Sequence, residues 1–261
     1  MSNLSGHSQI TAQAVRELAA EWPNSPLLHN LGAAGLPGAV VQRDIIDVLI
    51  GGHWADFGQK HHFMRKFDGQ SPYQAYADAV EWIRSNALDA AQMLAKRLAR
   101  YFPQGVGGAG NDPRGRSALG GTTVQTPRGP MPADVPSWQT LGNAVHALQD
   151  SFASGHAVRG APMGPEAPGP IEHIKRYSGA EKVGHEAGDE AWKTGSQSGN
   201  FSLDGRIAVN ATKQLIQIVV ATAASGRGQP PPALVGWETF KEQWLRASPK
   251  LSRQADRVFE L

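Results

Sequence analysis

Between Ile10 and Trp22 the apolar residues Ile10, Ala14, Val15, Leu18 and Trp22 recur at helical spacing, with Ser8 or Thr11 placed to cap the helix and Pro23 to end it. Pro37 to Ile50 reads as a second helix, opened by proline and closed by Gly51-Gly52. A loop-like stretch dense in histidine and aromatics follows, from Gly51 to Gly69. Ser71-Pro72 then opens the longest helix, to about Phe102, on a stripe that includes Tyr76, Val80, Ile83, Ala87, Ala91, Leu94 and Leu98. Another helix starts near Pro136-Ser137, and one more is predicted from Ile171 to about Thr194 with a break near Ser178-Gly179. Asp204 to Ala223 is apolar on most faces and reads as a buried central helix, and residues 233–261 carry two terminal helices whose stripe of Trp237, Phe240 and Trp244 is core. No segment alternates with the period of a strand. The pattern predicts an all-α, single-domain multi-helix bundle spanning residues 1–261, with two long Gly/Pro-rich loops at about 104–136 and 160–170.

Composition narrows the chemistry. The chain has no cysteine, so thiolate nucleophiles, disulfides and Cys-held zinc are excluded, and any metal falls to His, Asp or Glu. A net charge of +2 over 261 residues is compatible with an anionic substrate but is no nucleic-acid footprint by itself. No apolar run approaches the ~18 residues that span a bilayer, and the polar N-terminus lacks the basic and apolar regions of a signal peptide. The chain is thus expected to be made in the cytosol, with any export by a specialised route.

The stretch Thr140 to His156, TLGNAVHALQDSFASGH, puts His146 and Asp150 four residues apart, on one helix face, with His156 six residues further on. His185 and Asp189 repeat the four-residue spacing. One such pair is weak evidence, being common by chance and often a surface ion pair. Here Ala144, Val145, Ala147, Leu148 and Phe152 surround the first pair, and a buried carboxylate beside an imidazole is costly unless it is paired or binds a metal. A metal site is the favoured reading. No histidine is directly followed by Asp, against a histidine–aspartate phosphohydrolase, and His185-Glu186-Ala187-Gly188-Asp189 lacks the second histidine of a metalloprotease helix.

The order His-x3-Asp-x5-His followed by His-x3-acid resembles the bacterial zinc-dependent phospholipase C family and its relatives, the zinc nucleases. Gly6-His7-Ser8-Gln9-Ile10-Thr11 is similar to that family's N-terminal segment, where a histidine before the first helix binds metal. His53-Trp54-Ala55-Asp56-Phe57 with His62-Phe63 is similar to its Asp-then-His-Phe segment. The resemblance implies an all-α fold and two or three zinc ions. His62, His146 and Asp150 would hold one, His156, His185 and Asp189 a second, and His7 with a bridging Asp150 a third. Asp56 would act as general base or orient the attacking water. The chain departs from the family in lacking an N-terminal Trp for the third ion, in having Asp189 where Glu is usual, and in a short gap before His62 that leaves His61 as a rival ligand.

The expected activity is metal-assisted phosphodiester hydrolysis by a phospholipase C on glycerophospholipids, met peripherally at a membrane surface. Single-strand nuclease or 3'-nucleotidase activity, with nucleic acid as partner, is the first alternative; a non-catalytic helical protein stabilised by metal is the second. A relative of secreted enzymes without a signal peptide further suggests a bacterial toxin or effector with a cognate inhibitor protein.

Overall fold

A computed structural model describes residues 3–22, 35–49, 56–67, 69–101, 124–126, 129–131, 135–176, 201–226 and 229–256. The chain is mostly helical, as the pattern predicts. Its elements are α1 (Asn3–Glu21), α2 (Leu36–Leu49), a 3-10 helix (Asp56–His62), α3 (Pro72–Tyr101), β1 (Val124–Thr126), β2 (Gly129–Met131), α4 (Val135–Asp150), β3 (Ala157–Arg159), β4 (Ile171–Ile174), α5 (Leu203–Ser225), α6 (Trp237–Trp244) and α7 (Pro249–Asp256).

Helix α4 is the hub. It packs against α3 and α2 most extensively, and also against α1, α5 and the 3-10 helix, while α1 bridges α2 and α5. Leu141, Ala144, Val145, Ala147 and Leu148 are all buried, so α4 has no solvated face along its second half. Helix α2 comes unusually close to it. A Cβ on Gly142 would lie 2.8 Å from the backbone carbonyl carbon of Ala39, so only glycine permits this approach. The expected burial of α5 holds, with Ile207, Val209, Leu215, Ile216, Val219 and Val220 in the core, and Ser202 caps it by accepting from Gly205 N at 3.1 Å. Trp237, Phe240 and Trp244 are core as expected, and the Trp244 indole donates to Gln214 Oε1.

Three expectations need correction. The first helix begins at Asn3 rather than near Ile10, so His7 lies within it, not before it. His7, Ile10, Ala14 and Leu18 are buried along one face, and the hydrophobic stripe runs a turn further back than apolar residues alone reveal. The stretch after Gly51-Gly52 is not all loop, because Asp56–His62 forms a 3-10 helix. Of the helix predicted from Ile171 to about Thr194, Ile171–Ile174 forms β4 instead, antiparallel to β3 with an irregularity between Val158 and Arg159, and the part from 177 onwards lies outside the described residues. Ile171 and Ile174 are both buried, a spacing that mimics a helix, but Ile171 N donates to Arg246 O and its carbonyl accepts from Ser248 N. Tertiary backbone pairing overrides the local pattern there. A second hairpin, β1–β2, falls within the stretch 104–136 that the pattern reads as a loop, so among the described residues there are two small two-stranded sheets that the pattern did not predict.

Candidate metal centre

His146 and Asp150 stand one turn apart at the C-terminal end of α4. His7 reaches them from α1, His62 from the last residue of the 3-10 helix, and His156 from the turn that leaves α4. All five are buried, with exposures of 4% for His7, 2% for His62, 0% for His146, 1% for Asp150 and 3% for His156. Phe63, directly after His62, has φ of 53°, a left-handed conformation that is costly for an aromatic residue. The turn sends the Phe63 ring into the core against Tyr76, at 6.5 Å between centroids, while His62 faces the cluster.

Asp150 is the focus of the four imidazoles. His7 Nε2 lies 3.1 Å and His156 Nε2 3.7 Å from its Oδ1. On the other oxygen, His146 Nε2 lies 3.1 Å and His62 Nδ1 3.4 Å from Oδ2. His62 Nδ1 and His146 Nε2 are themselves 3.0 Å apart. Burial would push the Asp150 carboxyl up, but the charges of His156, His146 and His7 outweigh it and hold the pKa well below the usual carboxylate range.

The outer ring nitrogens decide what the inner ones can do. His146 Nδ1 donates to the Val40 carbonyl at 3.2 Å, and His156 Nδ1 to the His62 carbonyl at 2.5 Å, oxygens that can only accept. His7 Nδ1 is 2.8 Å from Gln149 Oε1. A neutral imidazole that donates through Nδ1 presents only a lone pair at Nε2. Three lone pairs then face a carboxylate that also only accepts, and with His146 in this tautomer buried Asp150 Oδ2 is left without a donor from that ring. The His62 Nδ1 proton can relieve this at one point, but the rest of the convergence is repulsive unless the rings are protonated or a cation sits among them. The donor set therefore fits a metal ion, and the group His7, His146 and Asp150 can hold one, its ligand atoms all within 4.8 Å of one another. Imidazole with a single carboxylate suits zinc among several first-row ions, and each outer hydrogen bond is of the kind that orients a metal ligand.

Of the ligands inferred from the sequence, His7, His62, His146, Asp150 and His156 meet at one point. Between the rival histidines, His62 faces Asp150, whereas His61 stacks on Trp82 at 4.2 Å between centroids. Asp56 opens the 3-10 helix that ends in His62, but its side chain lies outside the described residues, as do His185, Asp189 and His53. Lys66, four residues after His62 in the chain, is engaged by Asp78 Oδ2 at 2.8 Å.

Three supports escaped the sequence reading: Gln149, the Val40 carbonyl and Gly142. Gly142 sits one turn before His146, a spacing that a search for close helix contacts would flag, while a backbone acceptor leaves no signal in side-chain identity. Arg159 was also missed. Its guanidinium, packed 4.2 Å over the Phe152 ring, donates to the carbonyls of Ser151, Gly169 and Trp244 and to Ser151 Oγ, so it ties down the turn that carries His156. Compared with family models, curated proteins and solved structures, the chain matches none.

Proposed function

We propose that the protein is a zinc-dependent phosphodiester hydrolase, of the phospholipase C kind, that cleaves glycerophospholipids. The observation that supports it is the convergence of four buried imidazoles on Asp150, with the outer nitrogens of His146 and His156 donating to backbone carbonyls so that their inner nitrogens can present lone pairs. Zinc bound there supplies a Lewis acid for a phosphoryl oxygen and lowers the pKa of a coordinated water towards ~7.

The chain's own residues do the rest. His7, His146 and Asp150 form the holding group, and His156 joins His7 at Oδ1 while His62 joins His146 at Oδ2. One carboxylate set against four neutral imidazoles leaves a centre loaded with a divalent ion net positive, which favours an anionic ester over a neutral one. Asp56, at the start of the 3-10 helix, accepts the proton of the attacking water, and no covalent enzyme intermediate is needed. The resemblance of Gly6 to Thr11 and of His62-Phe63 to the phospholipase C segments is what favours lipid over nucleic acid as substrate.

The test is metal analysis of the purified protein together with hydrolysis of phosphatidylcholine vesicles and of single-stranded DNA. Stoichiometric zinc and release of the phosphorylated headgroup are the expected results. Cleavage of DNA but not lipid would replace the phospholipase with a nuclease, and bound zinc without turnover of either would leave a metal-stabilised bundle. If His146→Ala and Asp150→Ala keep both metal and hydrolysis, the proposal is wrong.

A further inference from the structure

Gln149 is fully buried in α4, next to Asp150 in sequence, yet its side chain faces away from the carboxylate into a three-helix junction. Its Oε1 meets His7 Nδ1 of α1 at 2.8 Å. Its Nε2 donates to Thr11 Oγ1 of α1 at 2.9 Å and to Thr212 Oγ1 of α5 at 3.1 Å. Both hydroxyls are fully buried, so the amide is satisfied at both ends without water.

We infer that Gln149 is the positioning residue of the His7 arm: its amide oxygen selects the His7 tautomer that turns a lone pair at Nε2 towards Asp150. The inference rests on the proposed metal centre and adds a determinant that the ligand spacing does not contain. The other two donating rings, His146 and His156, are held by backbone carbonyls that can play only one role. His7 is held by a side-chain amide, which has an acceptor end and a donor end. With Oε1 towards His7, Nδ1 carries the proton and Nε2 presents its lone pair on the side of Asp150, where an ion would bind. With the amide reversed, its NH2 would donate to Nδ1, the proton would move to Nε2, and the ring would donate to Asp150 Oδ1, 3.1 Å away, instead of binding metal. In the orientation observed, the hydroxyls of Thr11 and Thr212 accept the two amide hydrogens, and the same contacts join α1 and α5 to the hub helix at the point where α1 delivers its ligand.

Two substitutions separate this role from simple packing. Gln149→Met keeps the volume and removes both polar ends, while the ionised carboxylate of Gln149→Glu can only accept and so enforces the metal-binding tautomer. Full-length protein, stripped and reloaded, is titrated with zinc against a chromophoric chelator, and the cobalt(II)-substituted protein is examined by visible absorption. Gln149→Met should bind the ion about 10- to 100-fold more weakly and change the cobalt spectrum, whereas Gln149→Glu should hold zinc at least as tightly as wild type with an unchanged spectrum. Circular dichroism of the metal-free variants reports whether the bundle has formed. Wild-type affinity in Gln149→Met, or an equal loss in both variants, overturns the role of Gln149 while leaving the metal centre standing. A wild-type protein that takes up no zinc overturns the metal centre and the positioning role together.

Discussion

The cluster has two halves that the chain builds by different means. His146 and Asp150 ride on α4, where one turn of helix places both on a single face and buried neighbours hold them. His62 and His156 come from irregular backbone, a 3-10 helix that ends in the left-handed Phe63 and a turn secured by Arg159. In the first half the position of each ligand follows from helix geometry. In the second half it depends on long-range contacts, above all the hydrogen bond from His156 Nδ1 to the His62 carbonyl, which makes each turn a condition of the other. Helix-borne ligands should therefore fail by loss of a donor, and turn-borne ligands also by loss of the backbone that aims them.

Removing the shared carboxylate should have the largest effect. Asp150→Ala is expected to lower zinc affinity by at least ~10³-fold, because both of its oxygens face imidazoles. On the turn-borne side, His62→Ala should cost ~10²-fold, read by the same chelator competition.

Two backbone tests sharpen the contrast. Phe63→Ala should destabilise the protein by about 3 kcal/mol in denaturant unfolding, by emptying a fully buried aromatic site. Phe63→Gly should be about 1 kcal/mol less damaging than Phe63→Ala, although it removes more atoms, because glycine accepts a φ of 53° without strain. On the helix-borne side, Gly142→Ala should cost about 1–3 kcal/mol by pressing a methyl against Ala39, and should weaken zinc binding about 10-fold as α2 carries the Val40 carbonyl away from His146.

Acid gives a smaller signal in the metal-free protein. The folded carboxyl of Asp150 lies below its unfolded value of about 3.9, so its contribution is present above that value and is lost as pH falls through the lower folded one. The stability gap between wild type and Asp150→Asn should shrink on going from pH 5 to pH 3. Smallest of all, His61→Ala should change zinc affinity by less than about 3-fold, since His61 stacks on Trp82 and the cluster is built without it. A loss there equal to that of His62→Ala would mean the 3-10 helix can rotate to exchange the two rings.

The amino-acid sequence by itself determined the helical character, the buried central helix α5, the core stripe of Trp237, Phe240 and Trp244, and the pairing of His146 with Asp150. These depend on spacing along a single element, and helix periodicity converts such spacing into a face. Tertiary structure alone decided that α1 extends back to enclose His7, that the segment at Ile171 is a strand, and that His62 rather than its neighbour His61 faces the carboxylate. It also decided the supports: the Val40 carbonyl, the approach allowed by Gly142, and the Gln149 amide between Thr11 and Thr212. Each depends on backbone pairing or on atoms from helices far apart in the chain, and no local pattern of residue types encodes which carbonyl or amide will arrive beside a ring.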